Sequence, residues 1–167
     1  MTIIQNTSLQ KTVSPVDGRV YVERLLATPS VIDEILRTAR HAQAAWRNVS
    51  LEQRAVMLTR FCEEFEKRAA QIAEELTWQM GRPARYAPNE VRGMLERARH
   101  MIAIAPTALA DLDAGPKEAF ARFVHREPLG VVFTIAAWNY PYLIAVNSVV
   151  PALMAGNAVV QIGRAHV

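Results

Sequence analysis

An α/β fold is predicted, with helices through the first two thirds of the chain and then one strand–helix–strand unit with parallel strands. Three observations predict it. Apolar residues recur at steps of three and four between about residues 31 and 109, the spacing of one helix face. Near residue 129 the pattern changes to a short Val-rich run, Leu129 to Ile135, of the kind a strand buried on both faces shows. A longer apolar segment then leads to a second such run at Ala158-Val159-Val160. That crossover is long enough to join parallel strands.

At 167 residues the chain can bury a sizeable core. It is 51% hydrophobic and 21% charged, ordinary values for a soluble globular protein. No apolar run reaches the roughly 18–20 residues that span a bilayer. The opening residues lack the basic region and apolar stretch of a signal peptide. A cytoplasmic protein without a membrane partner is expected. The single cysteine, Cys62, excludes an internal disulfide. The net charge is +3, and the densest basic cluster, Arg97, Arg99 and His100, lies among helical apolar residues. It reads as a solvated helix face, so no nucleic-acid partner is expected. His41, His100 and His125 lack ligand spacing, and no metal site is expected.

Residues 1–13 read as a loose leader. Ser14-Pro15-Val16-Asp17-Gly18 reads as a tight turn, with short strands expected around Ile3–Gln5 and Val20–Leu25. A helix is predicted from Val31 to Asn48, with Ile32, Ile35, Leu36, Ala39, Ala42 and Trp46 on one face and Thr28, Pro29 and Ser30 as its start. Ser50 and Gln53 form a capping-box pattern that starts a second helix at Leu51. Its buried face carries Ala55, Leu58, Phe61, Cys62 and Phe65. A third helix spans 69–79 and stops at Gly81, with Pro83 beyond. A fourth starts near Asn89, buries Val91, Leu95, Ala98, Ile102, Ala105 and Leu109, and is kinked or ended by Pro106. Residues 111–117 read as a loop, and Ala119 to Arg126 alternates as a strand does.

Leu129–Ile135 is the first strand of the final unit, Asn139–Ala155 its helix with Pro141 in the first turn, and Ala158 onward its second strand. Residues 136–140 thus follow a strand and precede a helix. In open α/β sheets ligands sit beyond the carboxyl ends of the strands. A helix start also offers unpaired N–H groups and partial positive charge, which suit an oxygen gaining negative charge.

Glu127-Pro128-Leu129-Gly130-Val131-Val132, then Trp138-Asn139-Tyr140-Pro141, then Pro151-Ala152-Leu153 with Ala155-Gly156-Asn157-Ala158-Val159-Val160, resemble the aldehyde dehydrogenase superfamily in order. Shorter matches precede them: Ser14-Pro15 with Asp17-Gly18, Trp46 ahead of Arg54 and Leu58, and Met80-Gly81-Arg82-Pro83. The likeness runs from about Ser14 to Val160. One departure is Ala137, where the family usually has Pro. The fold the resemblance implies is α/β, with amino-terminal helices plus the first βαβ unit of a Rossmann-like cofactor domain, truncated.

The resemblance implies oxidation of a small-molecule aldehyde to a carboxylic acid with NAD or NADP. The family route is a cysteine thiohemiacetal, hydride loss, and a thioester released by water. Asn139 matches the family's oxyanion-holding asparagine. Its amide can donate to developing charge without adding a base, and such a donor is typically worth about 2.7–4 kcal/mol. An N-cap role is the plain structural alternative for Asn139. Ile135, Ala136, Ala137 and Trp138 match the loop beside the cofactor, and Tyr142, Leu143 and Val146 are candidates for the aldehyde tunnel. Cys62, on a buried helix stripe between Phe61 and Phe65, reads as inert packing. Phe120–Arg126 matches the family's oligomerisation arm, which implies a homo-oligomer in the full-length protein.

The family's catalytic cysteine and general-base glutamate have no match here, so the chain alone is expected to be inactive. Its last residues, from Ile162, break the family pattern. They are what ATC GGA AGA GCA CAC GTC encodes, a string similar to sequencing-adapter DNA. The expected organisation is a leader at 1–13, a helical part of the cofactor domain at 14–112, the arm at 113–127, the start of the βαβ unit at 128–160, and a non-native adapter-derived tail at 161–167. Alternatives from other classes are a non-enzymatic dinucleotide-binding module and a helical interaction protein. A family member forming an acyl-CoA is a closer one.

Overall fold

The computed structural model describes residues 8–162 of the chain. An antiparallel hairpin comes first, β1 (Leu9–Val13) with β2 (Val20–Leu25). The turn between them is the predicted one. The Gly18 N–H donates to the Ser14 carbonyl, and Gly18 takes a positive φ of 75°. The partner of β2 is Leu9–Val13, so the expected loose leader is a strand over its last five residues. Polar Gln10, Lys11 and Thr12 hide the strand in the sequence, because this two-stranded hairpin is largely exposed. The strand expected at Ile3–Gln5 lies outside the described residues.

Four helices follow: α1 (Pro29–Trp46), α2 (Leu51–Lys67), α3 (Ala69–Met80) and α4 (Ala87–Ala108). The predicted caps are present. The Thr28 hydroxyl accepts from the Val31 N–H, and the Ser50 hydroxyl accepts from the Gln53 N–H at 3.3 Å. Gly81 ends α3 in the left-handed conformation, with φ at 72°. Helix α4 starts two residues earlier than expected, with Pro88 tolerated in its first turn, where its missing N–H costs nothing. Pro106 neither halts α4 at once nor breaks it, and the helix ends two residues later.

The core is built by one face each of α2, α3, α4 and a fifth helix, α5 (Pro141–Met154). Leu58, Cys62, Leu76, Val91, Leu95, Ala98, Val146, Val150 and Met154 are all buried there. The predicted stripes of α2 and α4 are this core, except that Phe61 stays 40% exposed. Helix α1 departs from expectation. None of its residues is buried, and Ile32 and Ile35 stand in solvent. Among the described residues α1 rests mainly on the thin final sheet, with Gln43 and Trp46 reaching the end of α5 and the turn after it, and this cannot cover a whole helix face.

That sheet pairs β5 (Val131–Ile135) with β6 (Ala158–Ile162) in parallel, Val131 opposite Ala158 and Ile135 opposite Ile162. With α5 it is the predicted βαβ unit. Gln161 and Ile162, expected as foreign tail, continue β6 in register, since ladder pairing is made by backbone groups. Residues 163–167 of the expected tail lie outside the described residues.

The stretch expected as one strand over 119–126 is shorter. Two-residue strands β3 (Leu112–Asp113) and β4 (Phe123–Val124) pair antiparallel, so part of the expected 111–117 loop is ladder. Ala119 has a positive φ of 64°, which ends the extended run. The Arg122 guanidinium folds the segment back by donating to the Ala114 and Gly115 carbonyls at 3.0 and 3.1 Å.

Candidate functional site

The carboxyl end of β5 leads through residues 136–140 into α5. Of the residues expected beside a cofactor, Ile135 is 70% and Trp138 57% exposed, and Ala137 is half-buried. Ala136 is buried and has little surface of its own to offer. Asn139 is exposed, and no described residue hydrogen-bonds its side-chain amide. It is not the N-cap of α5. Tyr140 holds that place, and its side chain makes no capping bond.

The amino end of α5 is capped from elsewhere. Glu90, on α4, is fully buried, and its Oε1 accepts from the backbone N–H groups of Tyr142 at 2.9 Å and Leu143 at 3.4 Å. A carboxylate there satisfies orphan donors and meets the positive end of the helix dipole. The helix start is therefore already occupied by an anion. This corrects the expectation that its free N–H groups await an oxyanion, and leaves the Asn139 amide as the donor on offer.

A buried carboxylate needs a partner. Arg82 provides it, with Nη1 2.5 Å from Glu90 Oε2. That oxygen makes no well-directed hydrogen bond, so the contact is an ion pair. The other arm, Nη2, donates to the Asn139 carbonyl. The guanidinium carbon also lies 4.2 Å from the centre of the Tyr140 ring, a cation–π distance. Arg82 thus touches Asn139, Tyr140 and Glu90 together. Met80-Gly81-Arg82-Pro83 was a visible motif, but its role was not. Glu90 was assigned no role from the sequence, where it stands one residue before Val91 of the buried stripe.

Two of the tunnel candidates are core residues. Val146 is buried, and Tyr142 packs edge-on against Phe65 with ring centres 5.3 Å apart. Burial pushes the Tyr142 phenol up, and Glu75 and Glu90 add to that. Tyr142 also borders a cleft of about 510 Å³ between the hairpin, α3 and the end of β6. Leu143 is half-buried, facing Gly93 of α4. Cys62 is 1% exposed, and burial pushes its thiol up, which suits packing and not nucleophilic attack.

The far end of α5 is held as closely. The Trp46 indole donates to the Leu153 carbonyl at 2.9 Å, Arg54 Nη1 to Met154 at 2.7 Å, and the Gln43 amide to Gly156 at 3.2 Å. Gly156 has φ at 83°. Asn157 is buried. Its Oδ1 accepts from the Gly130 N–H at 2.9 Å and its Nδ2 donates to the Ala152 carbonyl at 3.1 Å. The motif pieces Trp46, Arg54, Gly130 and Gly156-Asn157 are therefore one structural joint that fixes α5 between β5 and β6.

The sequence model of the aldehyde dehydrogenase family matches residues 3–161. The chain belongs to the aldehyde dehydrogenase family. Among curated aldehyde dehydrogenases it is 33% identical over 148 residues to fluoroacetaldehyde dehydrogenase of Streptantibioticus cattleyicolor, covering 88% of this chain and 29% of that one. It is 28% identical over 158 residues to the D-glyceraldehyde dehydrogenase (NADP(+)) of Thermoplasma acidophilum, covering 93% and 32%. Solved aldehyde dehydrogenases share the fold. The 3,6-anhydro-L-galactose dehydrogenase complexed with NAP superposes with a TM-score of 0.85 at 28% identity, over 94% of this chain and 33% of that one. An NAD-dependent benzaldehyde dehydrogenase from Corynebacterium glutamicum gives 0.84 at 26%, over 93% and 34%. This aldehyde dehydrogenase chain spans about 29% of the length of the first of these curated relatives.

Proposed function

We propose that the protein to which this chain belongs oxidises an aldehyde to a carboxylic acid with NAD or NADP, through a cysteine thiohemiacetal and thioester. The observation that carries this is Asn139. It stands exposed between the tip of β5 and α5, its carbonyl tied to Arg82 and its side-chain amide without a described partner. An amide held by its backbone and open at its side chain suits donation to an oxygen that gains charge. Family membership and the NAD- or NADP-dependent relatives support the cofactor.

The residues present fit such a cofactor. Ile135, Ala137 and Trp138 offer apolar surface at the open end of the parallel strands, where nucleotide ligands sit in sheets of this kind. When bound, NAD(P) supplies the hydride acceptor. Asn139 steadies the alkoxide formed when a thiolate adds to the aldehyde carbonyl. The thiolate is not Cys62, so it and the general base come from outside these 167 residues. The chain alone is expected to turn over no aldehyde.

The test is the complete reading frame of the source gene, assayed for NAD(P)H formation with aliphatic and aromatic aldehydes. Turnover is expected, and Asn139→Ala is expected to lower kcat about a hundredfold or more. Full kcat in that variant, or a complete protein that reduces neither cofactor with any aldehyde, would refute the assignment.

A further inference from the structure

We propose that Arg82 and Glu90 are positioning residues that set the Asn139 amide, one guanidinium fixing the Asn139 backbone and the start of α5 relative to each other. The inference rests on the proposed function of Asn139 and extends it to two residues outside the loop.

The geometry is a chain of fixed points. The Gly81 turn and Pro15 packed against it hold the base of Arg82. The two arms of the Arg82 fork then reach different targets, Nη1 to Glu90 and Nη2 to the Asn139 carbonyl. Glu90 in turn holds the Tyr142 and Leu143 N–H groups. A planar fork with two arms in use fixes direction as well as distance, which a lysine ammonium cannot do. The charges of Arg82 and Glu90 also offset each other. What remains for a reacting oxygen is a neutral donor with a set direction, and a donor of that kind needs no reorganisation as charge develops.

Two side chains test this in separable ways. In the isotope-labelled 167-residue chain, Arg82→Lys keeps a cation beside Glu90 and removes the fork. Expected are shifted resonances for the Asn139 carbonyl carbon and side-chain amide, with the Tyr142 and Leu143 amides still slow to exchange. Glu90→Gln is expected to speed exchange of those two amides by about tenfold. Unchanged Asn139 resonances in Arg82→Lys, with the amide pattern around Cys62 intact, overturn the proposal. If that variant does not fold, Arg82→Met with Glu90→Leu leaves no lone buried charge and is read by the Asn139 resonances alone, since Glu90→Leu itself frees the Tyr142 and Leu143 amides; unchanged Asn139 resonances there overturn the proposal as well.

In the complete enzyme, Arg82→Lys is expected to lower kcat about tenfold to a hundredfold, with KM for the cofactor within about twofold. Unchanged kcat in an otherwise active enzyme also overturns it. A complete protein with no dehydrogenase activity would instead defeat the proposed function, and the resonance test would still decide whether Arg82 sets Asn139.

Discussion

Pro15 packs so closely on Gly81 that a methyl group at Gly81 would lie 2.9 Å from Pro15 Cγ. The hairpin turn and the end of α3 are distant in sequence, and each carries a short motif of little weight alone. Together they form one contact. It holds the residue before Arg82 in a conformation that only glycine adopts readily.

Gly81→Ala is expected to cost about 1–3 kcal/mol from its positive φ alone, with the Pro15 contact added. Gly18→Ala separates the two effects. Gly18 has nearly the same φ, 75°, and beyond its chain neighbours no heavy atom lies within 4 Å of where a Cβ would stand. Urea unfolding should therefore show the larger loss at Gly81. Equal losses would mean that Pro15 yields without cost.

Asn157→Ala is expected to destabilise by about 1–3 kcal/mol, because the Gly130 N–H loses its acceptor in a part-buried joint. Hydrogen exchange should accelerate at Gly130, at the foot of β5, while the amides of α2 around Cys62 keep their protection. An effect spread evenly over the chain would argue against a local joint.

Much of this was legible in the sequence, for physical reasons that differ by element. Helices α2 and α4 bury a stripe on neighbours within the chain, so periodicity gave their faces, and the Ser50 cap gave the start of α2. The βαβ unit was legible because Val-rich runs and a Gly-Asn stop have few other uses. Strand β1 was not, since a two-stranded hairpin in solvent needs no apolar alternation. The face of α1 was legible as a face but not as an exposed one. At the site, Asn139 and its loop were visible through their motif. The roles of Glu90 and Arg82 were not, because an ion pair between a helix and the loop before it leaves no periodic spacing in the sequence. The same holds for Trp46, which looked like one more apolar residue and works as a hydrogen-bond donor.

Trp46 and Arg54 close the carboxyl end of α5, and their losses should be coupled. Trp46→Phe keeps the ring and removes the donor to the Leu153 carbonyl, at a cost of about 1 kcal/mol. Arg54→Met removes a charged donor to Met154 and a cation from the negative end of the helix, at about 1.5–3 kcal/mol. The two donors serve adjacent carbonyls, so a double-mutant cycle in urea should return an interaction energy of at least about 0.5 kcal/mol. Strict additivity would show that the two donors act independently.

Cys62 gives a prediction about pH and reactivity. It is 1% exposed in the core, and burial raises its thiol pKa. The folded chain therefore holds the thiol proton to higher pH than the unfolded chain does. Above the ordinary thiol range, near about pH 8.5, the folded state binds more protons than the unfolded one, and stability falls as pH rises. Cys62→Ala lacks this component, although it loses some packing at every pH. Wild type should therefore lose more stability than Cys62→Ala between neutral and alkaline pH, measured by urea midpoints in parallel. Alkylation should agree. Iodoacetamide is expected to modify Cys62 slowly in the folded chain and rapidly in urea. Rapid modification of the folded chain at neutral pH would mean an accessible thiolate, and would reopen Cys62 as a nucleophile.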